Sequence, residues 1–199
     1  TEQATGLVNG GADLIIIETA QDILEVKAAI FGARAAFEET GKKLPIQISV
    51  SLLPNGGKML LGTDISAVLT TLEALKVDVI GLNCSTGPED MRDAIRYLGE
   101  NATTPVHCIP NAGLPLQGPD GETIFPEKPE PLAASLGEFV ERFGVGIVGG
   151  CCGTTPEHIK AIADRVRDLK PRPRPGKGDE LLLSSMMTAT PLVQEPRPT

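Results

Sequence analysis

Val145-Gly146-Ile147-Val148-Gly149-Gly150-Cys151-Cys152-Gly153-Thr154-Thr155-Pro156 is the stretch on which the fold turns. The apolar run Val145 to Val148 reads as a buried strand. The glycines after it end the strand. Thr155 offers a side-chain cap and Pro156 a first-turn residue, so a helix begins there and runs to about Leu169. Strand, turn and helix in that order make one β–α unit.

The same order recurs four times upstream. Asp13 to Ile17 reads as a buried strand, followed by a helix over Asp22 to Phe37 with Ile23, Val26, Ala29, Ile30 and Ala33 at helical spacing. Pro45 to Ser51 is a second strand. Asp64 then caps a helix carrying Ile65, Val68, Leu69, Leu72 and Leu75. Val77 to Leu82 is a third strand, with a helix from Pro88 to about Leu98. Pro105 to Ile109 is a fourth, separated by a long Gly/Pro-rich loop from a helix over about Pro131 to Phe143.

Five such units in series imply an α/β protein with a parallel sheet and right-handed crossovers. The strands are rich in Ile, Val and Leu, as expected when both faces are buried. A doubly wound sheet is the competing architecture, but its Gly-rich phosphate loop after the first strand is missing. A (β/α)8 TIM-type barrel takes roughly 250 residues. The 199 residues here would supply about its last five β-α units. The opening Thr1 to Val8 reads as the inside of a helix, which suggests a piece of a longer protein. Residues 1–170 are expected to form the partial barrel, and residues 171–199 a Pro-rich linker and tail. Leu181, Leu182, Leu183, Met186 and Met187 show no period, so the tail either docks on the barrel or leads into a following domain.

Composition narrows the function. A net charge of −8 argues against nucleic acid as a partner, because phosphate binding needs clustered Lys and Arg. No apolar run reaches the length of a membrane span. Four cysteines, two of them adjacent, do not make a disulfide framework, and a reducing, cytoplasmic setting fits them best.

In barrels of this kind the chemistry sits just past the strand ends. Glu18 follows the first strand, Asn83 and Cys84 the third, Asn111 the fourth, and Cys151 with Cys152 the fifth. Cys84 and the cysteine pair come from strands two places apart, so their backbones stand about 10 Å apart. Side chains reaching inward can close that gap onto one ion. Three thiolates leave one position open on a tetrahedral zinc, as in a catalytic site. Gly149, Gly150 and Gly153 would let the chain turn so that both neighbouring sulfurs face one way.

Blander readings stand beside these. A structural zinc staple and a thiol redox pair at Cys151-Cys152 both use the same residues. Cys108, within a strand, reads as packing. His107 and His158 carry weak signals. On position alone Glu18 is equally a loop carboxylate and Asn111 a turn residue.

Gly81-Leu82-Asn83-Cys84, Pro110-Asn111-Ala112-Gly113-Leu114-Pro115 and Gly149-Gly150-Cys151-Cys152-Gly153-Thr154-Thr155-Pro156 together resemble the homocysteine-binding domain of the cobalamin-dependent methionine synthase family, over about residues 1–170. Asp13 to Thr19 is similar to that family's fourth barrel strand. The related betaine-dependent family shares the cysteines, while the Pro-Asn-Ala-Gly-Leu-Pro run and the linker-like tail favour the cobalamin-dependent one. The resemblance implies a zinc-dependent homocysteine S-methyltransferase module, with zinc on Cys84, Cys151 and Cys152. Asn111 would be the exchangeable fourth ligand, displaced by the substrate thiolate, and Glu18 would bind the amino group of homocysteine. It further implies methylcobalamin as methyl donor, with cobalamin-binding and methyltetrahydrofolate-binding domains as partners elsewhere in a longer chain.

Overall fold

The computed structural model describes residues 1–54, 56–176 and 181–192. Helix α1 (Glu2–Asn9) leads into β1 (Ile15–Ala20) and α2 (Ile23–Thr40). Then follow β2 (Ile46–Val50), α3 (Ile65–Ala74), β3 (Val79–Asn83), α4 (Pro88–Asn101) and β4 (Val106–Ile109). A short hairpin, β5 (Leu116–Gln117) and β6 (Thr123–Ile124), precedes α5 (Pro129–Phe143). The chain continues with β7 (Ile147–Val148) and α6 (Pro156–Val166), and a second hairpin pairs β8 (Leu182–Ser184) with β9 (Ala189–Pro191).

β1, β2, β3, β4 and β7 form one parallel sheet in that order. Each strand lies beside the next in sequence, with a helix in every crossover. This is the expected run of five β–α units of a TIM-type barrel.

The helices start where the sequence places caps. The Asp22 side chain accepts from the Leu24 amide at the head of α2, and Asp64 from the Ala67 amide at the head of α3. Pro88 and Pro156 occupy first-turn positions, where the missing N–H costs nothing. Helix α5 begins at Pro129, two residues before the expected start.

The central strands are buried on both faces, as expected, but the two faces differ in character. Ile15, Ile46, Ile48, Val50, Ile80, Leu82, Val106 and Cys108 face the helices, in one core with Val26, Ile30, Leu72, Ile95, Leu98, Leu136 and Phe139. The residues between them are polar: Gln47 and Ser49 on β2, Ser51 just past its end, Asn83 on β3 and His107 on β4, all buried. Ser49, Gly81 and His107 lie side by side in register. Gly81 is what the ring needs beside it, since a Cβ there would run into the His107 backbone and imidazole. At the two edges of this polar face, Ile16 and Ile147 are exposed.

The first strand also departs from expectation. It extends to Ala20, so Glu18 lies within β1 and not past its end. The pairing with β2 shifts between Ile17 and Ala20, and Thr19 takes a left-handed φ of 57°. The tail forms a hairpin where no pattern was visible. It docks on α3: the Asp64 amide donates to the Met187 carbonyl, and the Ala189 amide to the Ser66 hydroxyl. The part of the tail at 177–180 and 193–199 lies outside the described residues.

Candidate metal centre

The sulfurs of Cys84, Cys151 and Cys152 meet at one end of the sheet, all within 4.8 Å of one another. Cys84 Sγ lies 3.8 Å from Cys152 Sγ, which lies 4.0 Å from Cys151 Sγ. Three sulfurs bound at about 2.3 Å to one tetrahedral ion would stand roughly 3.8 Å apart. The observed spacing is compatible with such a site and far too long for a disulfide. All four cysteines are free thiols.

The local chain is bent to bring them there. Cys84 follows β3 directly and adopts φ 59°, with Ser85 at 66°. Two successive left-handed residues that are not glycine cost on the order of 1–3 kcal/mol each. The Cys84 amide is tied to the Ile109 carbonyl, which fixes the turn against β4. The Cys151 amide donates to the Pro110 carbonyl, and the Ala112 amide to the Cys152 carbonyl, so the cysteine pair is laced to the loop after β4. Of the three glycines around the pair, Gly153 alone has positive φ, at 76°. It also lies under Phe125, whose ring leaves no room for a Cβ.

Burial pushes the Cys151 thiol up to about 11, and the charge of Cys84 beside it adds to the rise. The Cys151 thiol thus resists ionising on its own. A cation among them reverses that balance, because a coordinating thiol loses its proton outright. Cys84, Cys151 and Cys152 suit a soft or borderline metal such as zinc in both donor type and spacing.

Asn111 is buried, and its Oδ1 accepts from the Cys152 amide at 3.1 Å. Its own amide donates to the Thr86 carbonyl. It is therefore held at the rim of the sulfur cluster. Glu18 is not drawn into the cluster: it is exposed on the β1 bulge, and its carboxylate has no hydrogen-bond or ion-pair partner among the described residues.

Asn83, read from the sequence only as a strand-end residue beside Cys84, lies behind the cluster with Thr19 and Ser49. Asn83 is fully buried, and its side chain joins three strands to a cysteine. Its Oδ1 accepts from the Thr19 amide at 3.1 Å and the Ser49 hydroxyl at 2.6 Å. Its Nδ2 donates to Thr19 Oγ1 at 2.8 Å and, at 4.0 Å, to Cys151 Sγ. The readable signal was the alternation along β2 and just past it, where Gln47, Ser49 and Ser51 fall at every second residue among isoleucine and valine. His158 closes a capping box with Thr155 and reaches the Glu127 carbonyl, so it fixes the segment after the cysteines and is no ligand. Cys108 lies on the core face against Met91, as packing.

Residues 1–166 match the family model for homocysteine S-methyltransferase. The chain belongs to the homocysteine S-methyltransferase family. Over 195 residues it is 46% identical to a methionine synthase of Mycobacterium tuberculosis (strain ATCC 25618 / H37Rv). It is 44% identical over 200 residues to one of Mycobacterium leprae (strain TN). Each match takes in 98% of this chain but 16% of the relative, so the chain spans about a sixth of the length of these curated relatives. Among solved structures, the apo form of the homocysteine methyltransferase MmuM from Escherichia coli aligns with a TM-score of 0.61 at 24% identity. That alignment covers 82% of this chain and 56% of MmuM, and it supports the barrel architecture of the family. None of the described helices is long and apolar enough to cross a membrane.

Proposed function

We propose that this chain is the homocysteine-activating module of a methionine synthase, with zinc held by Cys84, Cys151 and Cys152. The observation that carries the reading is the three-sulfur cluster at the strand ends of a homocysteine S-methyltransferase family member. Zinc bound there would supply Lewis acidity that keeps a thiol deprotonated near neutral pH, where a free thiol is mostly protonated. Three sulfur donors leave one position for an exchangeable ligand, which separates this reading from a closed structural staple. Among the described residues no fourth Cys, His, Asp or Glu joins the cluster.

The chain's own residues then divide the work. Asn111, held on the Cys152 amide, is the candidate to fill the open position and yield it to the substrate sulfur. Glu18, exposed on the β1 bulge, offers a carboxylate for the ammonium group of homocysteine. The free thiols fit a reducing, cytoplasmic compartment. The methyl donor in this reading is methylcobalamin, carried by a cobalamin-binding domain elsewhere in a longer polypeptide. Residues 171–199 would lead from the barrel, residues 1–170, toward a methyltetrahydrofolate-binding domain. The likeness to two methionine synthases favours this donor over betaine.

Metal analysis with thiol titration tests the site. One zinc per chain, lost in Cys84→Ser, is expected. Zinc that survives the double change Cys151→Ser and Cys152→Ser would remove the basis for the reading. X-ray absorption tests the chemistry: adding homocysteine should replace an oxygen or nitrogen neighbour of zinc with sulfur. An unchanged first shell would refute thiol activation.

A further inference from the structure

Asn83 sits where the metal centre and the first strand of the sheet meet. Its amide has two acceptor and two donor places, and all four are taken. The Thr19 amide can only donate, so it fixes which end of the side chain is oxygen. Ser49 has one hydroxyl hydrogen. It goes to Asn83 Oδ1, so the hydroxyl must accept from His107 Nε2 at 2.8 Å. One Nδ2 hydrogen goes to Thr19 Oγ1. The other has one place left, the sulfur of Cys151.

A buried amide hydrogen aimed at a sulfur favours that sulfur as an acceptor, which is how a thiolate ligand behaves. The same side chain also holds the bulge of β1 through two bonds to Thr19, the neighbour of Glu18. We propose that Asn83 is a positioning residue with two outputs. It supports Cys151 as a metal-binding thiolate from behind, and it sets the place of Glu18 relative to the metal. This rests on the three-sulfur site holding a metal.

The isosteric change Asn83→Asp, which also brings a buried negative charge, is read beside Asn83→Ser and Ser49→Ala. It keeps an oxygen for Ser49 and the Thr19 amide but takes away the hydrogens aimed at Cys151 and at Thr19 Oγ1. The test uses the full-length protein loaded with Zn2+ or Co2+, with chelator competition for affinity and the sulfur-to-cobalt absorption band for the ligand's electronic state. The N83D protein should bind zinc about 10- to 100-fold more weakly, the usual loss when a partner of a metal ligand is removed. Its cobalt band should move to longer wavelength. Asn83→Ser, which leaves a hydroxyl for Ser49 but is too short for Cys151, should show the same two changes. Ser49→Ala, which removes a hydroxyl that does not touch sulfur, should lower thermal stability and leave the band in place. Equal zinc affinity and an unmoved cobalt band in both Asn83 variants would overturn the proposal while leaving the metal site intact. A wild-type protein that takes up neither metal would overturn the site reading, and this proposal with it.

Discussion

His107 is a fully buried imidazole, with Nε2 on Ser49 and Nδ1 without a partner among the described residues. Burial lowers its pKa from 6.5 to about 4. Below pH 6.5 the unfolded chain takes the proton and the folded chain does not, so stability falls as the pH drops toward 4. In metal-free protein this predicts a loss of about 2 kcal/mol between pH 7 and pH 5, measured by urea unfolding. A His107→Gln chain, which can still donate to Ser49, should lack that part of the pH dependence. Gly153 gives a second expectation. With φ at 76° and Phe125 over it, Gly153→Ala should cost about 1–3 kcal/mol in unfolding and weaken zinc retention, because it re-aims Cys152. If G153A kept full stability and zinc, the turn would not be what orients the sulfur. At this scale the cysteines were legible because they stand just past apolar runs. Asn83 was not. A residue whose partners are Thr19, Ser49 and Cys151 shows its role only once three strands are side by side. The glycine argument was legible in part: Gly153 turns the chain, while Gly149 and Gly150 need no left-handed backbone.

Helix α3 carries the tail hairpin on its first turn. The Asp64 carboxylate accepts from the Ala67 amide and the Ser66 hydroxyl, and that hydroxyl accepts from the Ala189 amide of β9. Asp64→Ala should therefore do two things. Thermal unfolding should register the loss of the cap, about 1 kcal/mol. Amide exchange at Ala189 should accelerate as the hairpin loosens from Ser66. Unchanged exchange would mean that the remaining contacts hold the hairpin, the Asp64 amide on the Met187 carbonyl and Ser184 on Ala67 and Thr71. Helix starts were readable because caps are local chemistry: Asp22, Asp64, Pro88 and Pro156 act within one turn of themselves. The end of β1 was not, since Glu18-Thr19-Ala20 is extended by pairing with β2 and by the grip of Asn83 on Thr19. The hairpins at 116–124 and 182–191 escaped notice because strands of two or three residues are too short to show a period.

The sheet of the described residues is open at both sides, with β1 and β7 as edges. Ile16 and Ile147 are exposed there, at 38% and 41%. Unpaired parallel edges with apolar side chains invite association. The isolated 199-residue chain should self-associate with rising concentration in light scattering, and Ile16→Lys with Ile147→Lys should suppress it. Monomeric behaviour of the unmodified chain at high concentration would show that these edges are harmless. The parallel order of the sheet was legible from the repeat of strand and helix, while its polar face was overlooked under the count of isoleucines and valines. The path between the sulfurs matters as well. Cys84 and Cys152 are 68 positions apart in the chain. An ion joining them closes a loop that encloses α4, β4, the first hairpin, α5 and β7. For a permanent cross-link, closing a loop of that length withdraws about 4 kcal/mol of freedom from the unfolded chain. Metal bound as proposed would then act as a reversible stitch between positions 84 and 152, and the melting temperature would rise with free zinc.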